Sequence, residues 1–329
     1  NSQFKGRKKK MAITQDFQRL LDYMNTVIVG QEDLVRKLVI ALLCNGHLLV
    51  EGAPGLAKTK AVKILSCLID AKEQRIQFTP DLLPSDITGS DVYRHETHQF
   101  YFQKGPIFNN LIIADEINRA PAKVQSALLE AMGERQITVG NTTYKLPDLF
   151  MVMATQNPIE QEGTYVLPEA QLDRFLFYVK IKYPTAEAER KILKLIRQEE
   201  KQEPLPEFKK ISERAVMAAR QDVLDVYMSP EIEEYIIQLV MATRDPSPYG
   251  DDLSKYIGFG VSPRGTIALD IAARASAWLN GRDYVAPEDL KSIVFDVLRH
   301  RLIPSFEAKA VGVTSDQLLN TLLKRVPMV

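Results

Sequence analysis

Lys58 and Thr59 stand at the end of a glycine-containing loop that directly follows an apolar stretch, residues 47–50. A buried strand that turns through such a loop into a helix directs several backbone N–H groups and the positive end of the helix dipole at one point. The lysine can reach the terminal phosphates of a nucleotide, and the threonine hydroxyl can ligate Mg²⁺. The sequence therefore predicts a phosphate loop that consists of Gly52, Ala53, Pro54, Gly55, Leu56, Ala57, Lys58 and Thr59.

Two adjacent carboxylates, Asp115 and Glu116, end a second apolar run, residues 111–114. Central strands of a parallel sheet are apolar throughout, and ligands bind outside their carboxyl ends. This acidic pair can therefore share one sheet edge with the phosphate loop. There we expect Asp115 to hold Mg²⁺ and Glu116 to polarise an attacking water, because phosphoryl transfer depends on positioning and charge neutralisation. The alternative is that the pair merely caps the helix that begins near Pro121.

Two polar residues follow later strands of the same predicted sheet. The amide of Asn157, after the apolar run 149–155, can orient water beside the γ-phosphate, although an Asn-Pro dipeptide also starts turns. Arg174 lies in a short polar helix between strands. Because arginine is always charged and forks onto phosphate, Arg174 from a neighbouring subunit could stabilise the transferred group; it could equally pair with an acidic neighbour at the surface. Arg119, just after the acidic pair, competes for the same role.

Arg264 is predicted in the first turn of a helix that Ser262 caps. A cation there opposes the helix dipole by roughly 0.3–1 kcal/mol. An anion bound at that helix end would relieve the conflict, so the position of Arg264 indicates a phosphate contact from a helical domain. The alternative is that the side chain points into solvent, where the penalty is small.

Short apolar runs alternate with helical patterns as far as residue 184, which indicates a parallel α/β sheet flanked by helices. The strand candidates are 47–51, 75–78, 111–115, 149–155 and 177–181, and helices are expected at 15–26, 31–45, 58–70, 121–134 and 169–175. Two insertions interrupt this alternation, a hairpin-like segment at 91–102 and a hairpin at 136–146 with a Gly-Asn turn. Helical periodicity dominates from 185 to 329, so we expect an α/β domain at 12–184 followed by an all-α domain.

The chain has 329 residues, in which 42 basic and 42 acidic side chains cancel. The basic run at residues 5–10 predicts a disordered tail that covers residues 1–11. No broad basic surface is evident, so nucleic acid is not favoured as a partner.

Cys44 and Cys67 lie in apolar helical patterns, which predicts buried thiols in a reducing compartment. No apolar run approaches the ~20 residues that cross a bilayer, and we expect a cytoplasmic protein.

Together these motifs resemble the MoxR family of AAA+ ATPases. The resemblance extends from about Ile28 to Arg301 and depends on an ordered set of segments, which are 52–59, 114–121, 125–132, 154–158, 168–175 and 262–264. Ala57 stands where a glycine is usual in nucleotide-binding loops, but it matches the usual form of this family. The resemblance implies an AAA+ P-loop sheet followed by an all-α lid, with a helix-2 insert at 87–105 and a hairpin before sensor 1 at 136–146.

The resemblance also implies roles for individual residues. The Walker A, Walker B, sensor 1, arginine finger and sensor 2 roles fall on Lys58-Thr59, Asp115-Glu116, Asn157, Arg174 and Arg264, respectively. The adenine pocket would be lined by Val29, Gly30 and Gln31, the ligands would be ATP and Mg²⁺, and subunits would form hexameric rings. Family members act as chaperone-like ATPases that mature partner proteins, often ones with a von Willebrand factor A-type domain or a metal cofactor.

Three other functions stay open at the level of sequence. A DNA-directed motor would need basic, aromatic hairpin tips, whereas residues 140–142 are neutral and residues 94–98 are mixed in charge. A small-molecule P-loop kinase would explain the phosphate loop but neither Asn157, Arg174 nor a long helical domain. A nucleotide-gated scaffold that hydrolyses poorly is disfavoured by Glu116.

Overall fold

The structure is a computed structural model that describes residues 2–53, 55–158 and 163–328. Its strands, in chain order, are β1 (Leu48–Glu51), β2 (Glu73–Gln77), β3 (Gly89–Arg94), β4 (Gln99–Lys104), β5 (Leu111–Asp115), β6 (Gln136–Val139), β7 (Thr142–Lys145), β8 (Met151–Gln156), β9 (Phe177–Lys180), β10 (Ile257–Phe259) and β11 (Ile303–Pro304). Its α-helices are α1 (Ser2–Val27), α2 (Glu32–Leu43), α3 (Lys58–Leu68), α4 (Pro84–Thr88), α5 (Ala122–Glu134), α6 (Glu169–Leu172), α7 (Ala186–Glu200), α8 (Glu213–Leu224), α9 (Pro230–Arg244), α10 (Asp251–Tyr256), α11 (Pro263–Leu279), α12 (Pro287–Leu298), α13 (Phe306–Ala310) and α14 (Ser315–Arg325). Short 3-10 helices lie at Ile117–Arg119 and Ser247–Tyr249.

The central sheet of the described chain has five strands in the order β2-β5-β8-β1-β9. The β2–β5, β5–β8 and β8–β1 pairs are parallel. Every residue of β5 is buried, as is all of β8 except its last residue, which explains why both segments are continuous apolar runs. Because Ala114 is opposite Ala154 and Val50 is opposite Thr155, strands β5, β8 and β1 end at the same edge. The predicted parallel α/β fold is confirmed.

Two compact units can be distinguished along the chain. The α/β unit and the helical unit comprise, respectively, Arg19–Arg174 with Val179–Met217, and Asn1–Gln18 with Phe175–Tyr178 and Ala218–Val329. This division differs from the predicted boundary at 184/185. The sequence change at that point marks the end of the strand–helix alternation, but it does not mark the end of the packed unit.

Residues beyond 184 remain in the α/β unit because they contact it directly. In α7, Glu199 accepts a hydrogen bond from Lys60 Nζ at 2.6 Å. Farther along, the backbone N–H of Ile211 donates to the carbonyl of Leu68 at 2.8 Å. These contacts fix α7 and the following segment beside α3.

The predicted disordered tail at residues 1–11 is wrong, since α1 begins at Ser2. Lys10 forms ion pairs with Asp222 at 3.4 Å and Asp225 at 2.6 Å. About two turns further on, Phe17 is fully buried and packs edge-on against Trp278, with ring centroids 5.5 Å apart. The basic run therefore continues a helix that is anchored in the helical unit.

The cysteines also differ from their predicted state. Cys67 is exposed and Cys44 is half-buried, whereas both were expected to be buried. In α3 the buried positions are Ala61, Val62, Leu65, Ser66 and Leu68, so Cys67 lies on the opposite side of this helix.

Among the described residues, no helix combines the length and apolar character that crossing a bilayer requires.

Two antiparallel hairpins extend from the α/β unit, as the sequence predicts. The insert hairpin consists of β3 and β4, and the second hairpin consists of β6 and β7. The ring of Phe102 in the insert hairpin stacks on the ring of Tyr144 in the second hairpin, with centroids 4.0 Å apart and planes 17° apart. This aromatic contact joins the two insertions on one side of the unit.

Candidate nucleotide-binding site

The phosphate loop runs from the end of β1 to the start of α3. Gly52 packs so closely on Ile181 that a Cβ there would collide with the isoleucine side chain. Gly55 has a φ of +81° and open space around it. Pro54, also predicted in this loop, lies outside the described residues. Close packing at one glycine and a left-handed backbone at the other explain the need for glycine at both positions.

Lys58, the first residue of α3, is directed back over the loop. Its Nζ donates to the carbonyl of Gly52 at 2.8 Å. Burial lowers the pKa of Lys58, and the nearby carboxylates of Asp115 and Glu116 oppose this shift. The lysine and the acidic pair thus lie within electrostatic reach of each other at the edge where β1 and β5 end.

Ala57 occupies the position before α3 in a left-handed conformation, with a φ of 61° and a ψ of 19°. Such a backbone is ordinarily a glycine conformation. The residue makes no side-chain capping hydrogen bond to α3. The first N–H groups of this helix are consequently not satisfied by a cap, which suits an anion at that end.

The acidic pair closes β5. Asp115, which is 7% exposed, accepts a hydrogen bond from Arg75 Nε at 2.5 Å and another from Thr155 Oγ1 at 2.9 Å. The N–H of Glu116 donates to the same Thr155 oxygen at 3.0 Å, and its carboxylate pairs with Arg119 Nη1 at 3.0 Å. Like Ala57, Glu116 is left-handed, with a φ of 54°.

Neither carboxylate of the acidic pair caps a helix. The 3-10 helix after Glu116 has no side-chain capping bond from it. The N-cap of α5 is Pro121, again without a side-chain bond. The capping alternative is therefore wrong, since the partners of the two carboxylates are instead the side chains of Arg75, Thr155 and Arg119.

Asn157 directly follows β8, the strand between β5 and β1, and is half-buried. The preceding residue, Gln156, is opposite Glu51 in the β1–β8 register. Asn157 thus stands at the sheet edge between the strand that carries the acidic pair and the strand that leads into the phosphate loop. A side-chain amide in this position has a donor and an acceptor to offer to a bound water.

A cavity of about 420 Å³ lies beside the phosphate loop, within the size range of small-molecule sites. Its walls are formed by Val27, Ile28, Val29, Gln31, residues 55–60, Pro184, Ile192, Leu195 and Ile196. A neighbouring cavity of about 760 Å³ shares part of this wall and also includes Gly30. A Cβ at Gly30 would come within 3.1 Å of Ala188 and 3.4 Å of Pro184. The three residues predicted to line an adenine pocket thus all border these cavities.

The three predicted arginines occupy different surroundings. Arg174 Nη1 donates to the carbonyl of Leu129 at 2.6 Å, and its guanidinium lies over Gly133 of α5. Arg119 pairs with Glu116 in its own chain. Arg264 lies in the first turn of α11 in the helical unit, where its N–H donates to Ser262 Oγ at 3.3 Å, as the capping pattern predicts. Strand order places Lys58-Thr59, Asp115-Glu116 and Asn157 at one edge of the sheet, because they lie at or after the ends of β1, β5 and β8, while Arg174 is bonded to α5.

Sequence reasoning missed three side chains around the acidic pair. Arg75 and Thr155 contact Asp115 from the strands on either side. Gln125, which is 1% exposed, donates through Nε2 to the carbonyls of Ile117, Ala120 and Tyr165 and so holds the loop after the pair. A threonine inside the apolar run 149–155 and a buried-face glutamine in α5 were the available signals.

Three features together define an AAA-type ATPase. A phosphate loop follows β1, an acidic pair lies at the end of β5, which is separated from β1 by one strand, and a helical unit comes later in the chain. Residues 47–177 match the ATPase family associated with various cellular activities (AAA), and residues 252–322 match the AAA lid domain.

Curated relatives identify the branch. The chain is 42% identical to Chaperone MoxR1 of Mycobacterium tuberculosis, over 94% of this chain and 82% of that protein. It is 31% identical to Protein MoxR of Methylorubrum extorquens, over 91% of each. A solved structure of a candidate ATPase from Cytophaga hutchinsonii superposes with a TM-score of 0.92 at 43% identity, covering 100% of this chain and 99% of that one. The chain belongs to the MoxR family of AAA+ ATPases.

Proposed function

We propose that this protein is a Mg²⁺-dependent ATPase that assembles into a ring, a hexamer, and uses nucleotide turnover to remodel or mature partner proteins. The observation that carries the proposal is that Lys58 and the pair Asp115-Glu116 lie after β1 and at the end of β5, which end at the same edge of one parallel sheet, with a cavity of about 420 Å³ beside the phosphate loop. A basic residue for phosphate and a carboxylate pair for metal and water are the parts that phosphoryl transfer requires.

The residues at this edge fit Mg²⁺ bound together with a nucleotide. No group of three or more histidine, cysteine or acidic side chains converges on a metal position in the described parts of the chain. Mg²⁺ in nucleotide sites is usually held by one or two protein oxygens, the phosphates and water. Thr59 and Asp115 would supply those oxygens. When bound, the ion neutralises developing negative charge on the phosphates.

Each remaining residue has one task in the proposed reaction. Lys58 holds the terminal phosphates, Glu116 accepts the proton of the attacking water, and Asn157 orients that water. Attack on the γ-phosphorus breaks its bond to the bridging oxygen, so ADP and phosphate leave. Arg264 is the proposed phosphate contact from the helical unit.

Arg174 is the proposed contribution of a neighbouring subunit. Arg119 is the other candidate, but its guanidinium already pairs with Glu116 in its own chain. Arg174 donates to a neutral carbonyl at 2.6 Å, which leaves its positive charge uncompensated by that bond. Mixing Arg174→Ala with wild-type subunits tests the assignment. We expect activity to fall faster than the wild-type fraction, and a loss in simple proportion to that fraction contradicts a shared site.

Substitution of the proposed base tests the ATPase itself. Glu116→Gln should retain ATP binding but hydrolyse ATP at least ~100-fold more slowly, since general-base contributions are typically 10²–10⁴. Glu130→Gln is a matched control, because Glu130 is an exposed carboxylate on α5. Steady-state phosphate release and binding of a fluorescent ATP analogue measure the two quantities. Full turnover by Glu116→Gln contradicts the assignment.

The client protein can be sought with the same variant. A Glu116→Gln ring that binds ATP without hydrolysing it should retain its client, which we propose to be a protein with a von Willebrand factor A-type domain. Affinity capture in the presence of ATP, compared with capture by Lys58→Ala, which should not bind nucleotide, gives the contrast. Equal recovery with both variants argues against nucleotide-dependent client binding.

A further inference from the structure

The hydroxyl of Thr155 joins the two residues of the acidic pair. Thr155 is 2% exposed and lies in β8, between β5 and β1. Its Oγ1 donates to Asp115 Oδ1 at 2.9 Å and accepts from the N–H of Glu116 at 3.0 Å. One buried oxygen thus contacts a side chain and a backbone group of consecutive residues on the next strand.

The backbone bond matters because Glu116 is in a strained conformation. A left-handed backbone costs a non-glycine residue roughly 1–2 kcal/mol and needs support from its surroundings. Here β5 leaves its regular extended course at Glu116, with a φ of 54° and a ψ of 51°. The direction of the Glu116 side chain follows from this conformation, and the hydrogen bond to Thr155 holds it from the interior of the sheet.

The side-chain bond fixes the other member of the pair. The Asp115 carboxylate has two side-chain donors, and they differ in solvent exposure. The side chain of Arg75 is 52% exposed, whereas Thr155 is buried. Solvent can compete for the half-exposed Arg75 guanidinium, although its bond to Asp115 is short, whereas it does not reach the Thr155 hydroxyl. The buried hydroxyl therefore holds one carboxylate oxygen of Asp115 from inside the sheet, and Arg75 holds the other oxygen from the more exposed side.

We propose that Thr155 is a positioning residue for ATP hydrolysis, which holds the metal-binding carboxylate of Asp115 and the base Glu116 in a fixed mutual arrangement. This inference rests on the proposed function, because it assigns Thr155 an action through those two residues. The alternative is a purely structural threonine, whose hydroxyl satisfies buried polar groups and affects stability alone.

Two substitutions separate these possibilities. Thr155→Val keeps the branched shape and deletes the hydroxyl, while Thr155→Ser keeps the hydroxyl. Misplacement of catalytic groups by about 1 Å can reduce rates by 10²-fold. We therefore expect Thr155→Val to lower kcat by ~10–100-fold with the KM for ATP within about threefold of wild type, and to require more Mg²⁺ for half-maximal rate. Thr155→Ser should restore kcat to within about threefold.

The helical unit offers a matched control. Thr243 is also fully buried, and its Oγ1 donates to the carbonyl of Val240 at 2.6 Å and accepts from the N–H of Val261 at 3.0 Å. Thr243→Val likewise removes one hydrogen bond that a buried hydroxyl donates, here to a backbone carbonyl, and one that it accepts from a backbone N–H, far from the acidic pair in sequence. It should lower the unfolding midpoint and leave kcat per folded molecule unchanged.

The outcomes are distinguishable. Wild-type kcat in folded Thr155→Val, or equal losses in the valine and serine variants, overturns the role of Thr155 while leaving the proposed function intact. Absence of ATP hydrolysis by the wild type overturns the proposed function itself. If Thr155→Val does not yield folded protein, Thr155→Ala takes its place, because it deletes the hydroxyl without placing a methyl group against Asp115.

Discussion

Asp289 and Asp115 are both buried aspartates with an arginine partner, one in the helical unit and one in the α/β unit. Asp289, whose side chain is 0% exposed, accepts two hydrogen bonds from Arg282 at 2.6 and 2.8 Å. It also accepts from three further groups, which are Ser276 Oγ, Asn280 Nδ2 and the N–H of Ala286. The hydrogen bond to Asp289 raises the pKa of Arg282. This carboxylate is saturated by protein donors.

Asp115 accepts fewer hydrogen bonds than Asp289 does. Its donors are the side chains of Arg75 and Thr155, and it lies at an open sheet edge rather than inside a helical packing. A carboxylate has about four acceptor positions, so Asp115 retains capacity for a cation whereas Asp289 does not. The comparison indicates that partner count and location, more than burial, separate a structural aspartate from one that can bind a ligand.

The largest effect on stability is expected at Asp289. Asp289→Ala removes a fully buried carboxylate and leaves Arg282, Ser276 and the N–H of Ala286 without the partner that it provides, and breaking a buried ion pair in this way costs about 3–5 kcal/mol. Denaturant unfolding of the full chain, followed by circular dichroism, measures the loss. The control is Asp270→Ala, which removes a partly exposed pair with Arg274 and should cost less than ~1 kcal/mol. Similar losses for both variants would contradict the structural role of Asp289.

Asp115→Asn should show the reverse pattern. The substitution keeps the shape and the acceptor for Thr155, so the unfolding free energy should change by less than ~1.5 kcal/mol. Loss of a metal-binding charge should lower ATP turnover at least ~100-fold, equivalent to about 2.7 kcal/mol in activation free energy. Phosphate release and denaturant unfolding on one preparation measure both. A destabilisation as large as that of Asp289→Ala would remove the distinction between the two aspartates.

Much of this arrangement follows from local sequence. The apolar runs predict β5 and β8, and each predicted sheet strand lies within two residues of the observed bounds. The phosphate loop and the acidic pair are contiguous motifs, so their meeting at one edge follows from parallel strand order alone. Local periodicity and short motifs were sufficient for these features.

The contacts that support the site were not predictable in the same way. Arg75 reaches Asp115 because Gln77, two residues later, is opposite Asp115 in the β2–β5 register. The register between two strands that are distant in sequence cannot be derived from the residues of either strand alone. The position of α7 in the α/β unit depends on side-chain contacts such as Lys60 with Glu199. Exposure of Cys67 likewise depends on which face of α3 meets the sheet.

One histidine in each unit extends the comparison to the pH dependence of stability. In the α/β unit, His47 uses both ring nitrogens, with Nδ1 accepting from the N–H of Val152 at 2.9 Å and Nε2 lying 3.3 Å from the carbonyl of Met132. In the helical unit, His300 Nε2 contacts the carbonyl of Phe175 at 2.8 Å, while its buried Nδ1 has no hydrogen-bond partner in the described structure. Burial, aided by Arg301 and Arg299, lowers the pKa of His300 well below its usual value.

This lowered pKa predicts acid sensitivity of the helical unit. Below about pH 6.5 the unfolded chain takes up a proton at His300 that the folded chain does not, so the stabilisation is present above pH 6.5 and is lost as pH falls. Between pH 6.5 and 5.5 the loss should be about 1 kcal/mol. Denaturant unfolding of wild type and of His300→Gln across this range measures it. The variant should show a weaker pH dependence, and identical slopes would contradict the assignment.

The smallest expected change in the free energy of unfolding concerns Ala57, which is compared with Glu116, the other non-glycine residue of the site in a left-handed conformation. Glu116 is held by Thr155, whereas Ala57 has no side-chain cap and stands where glycine is usual. Ala57→Gly should relieve ~1–2 kcal/mol of backbone strain, offset by roughly 0.4–1 kcal/mol of added freedom in the unfolded chain, for a net stabilisation of about 0.8 kcal/mol. Ala61→Gly, at a regular buried position of the same helix, should instead destabilise by about 1 kcal/mol or more. Opposite signs in matched unfolding curves support strain at Ala57; destabilisation by both shows that the loop holds alanine without cost.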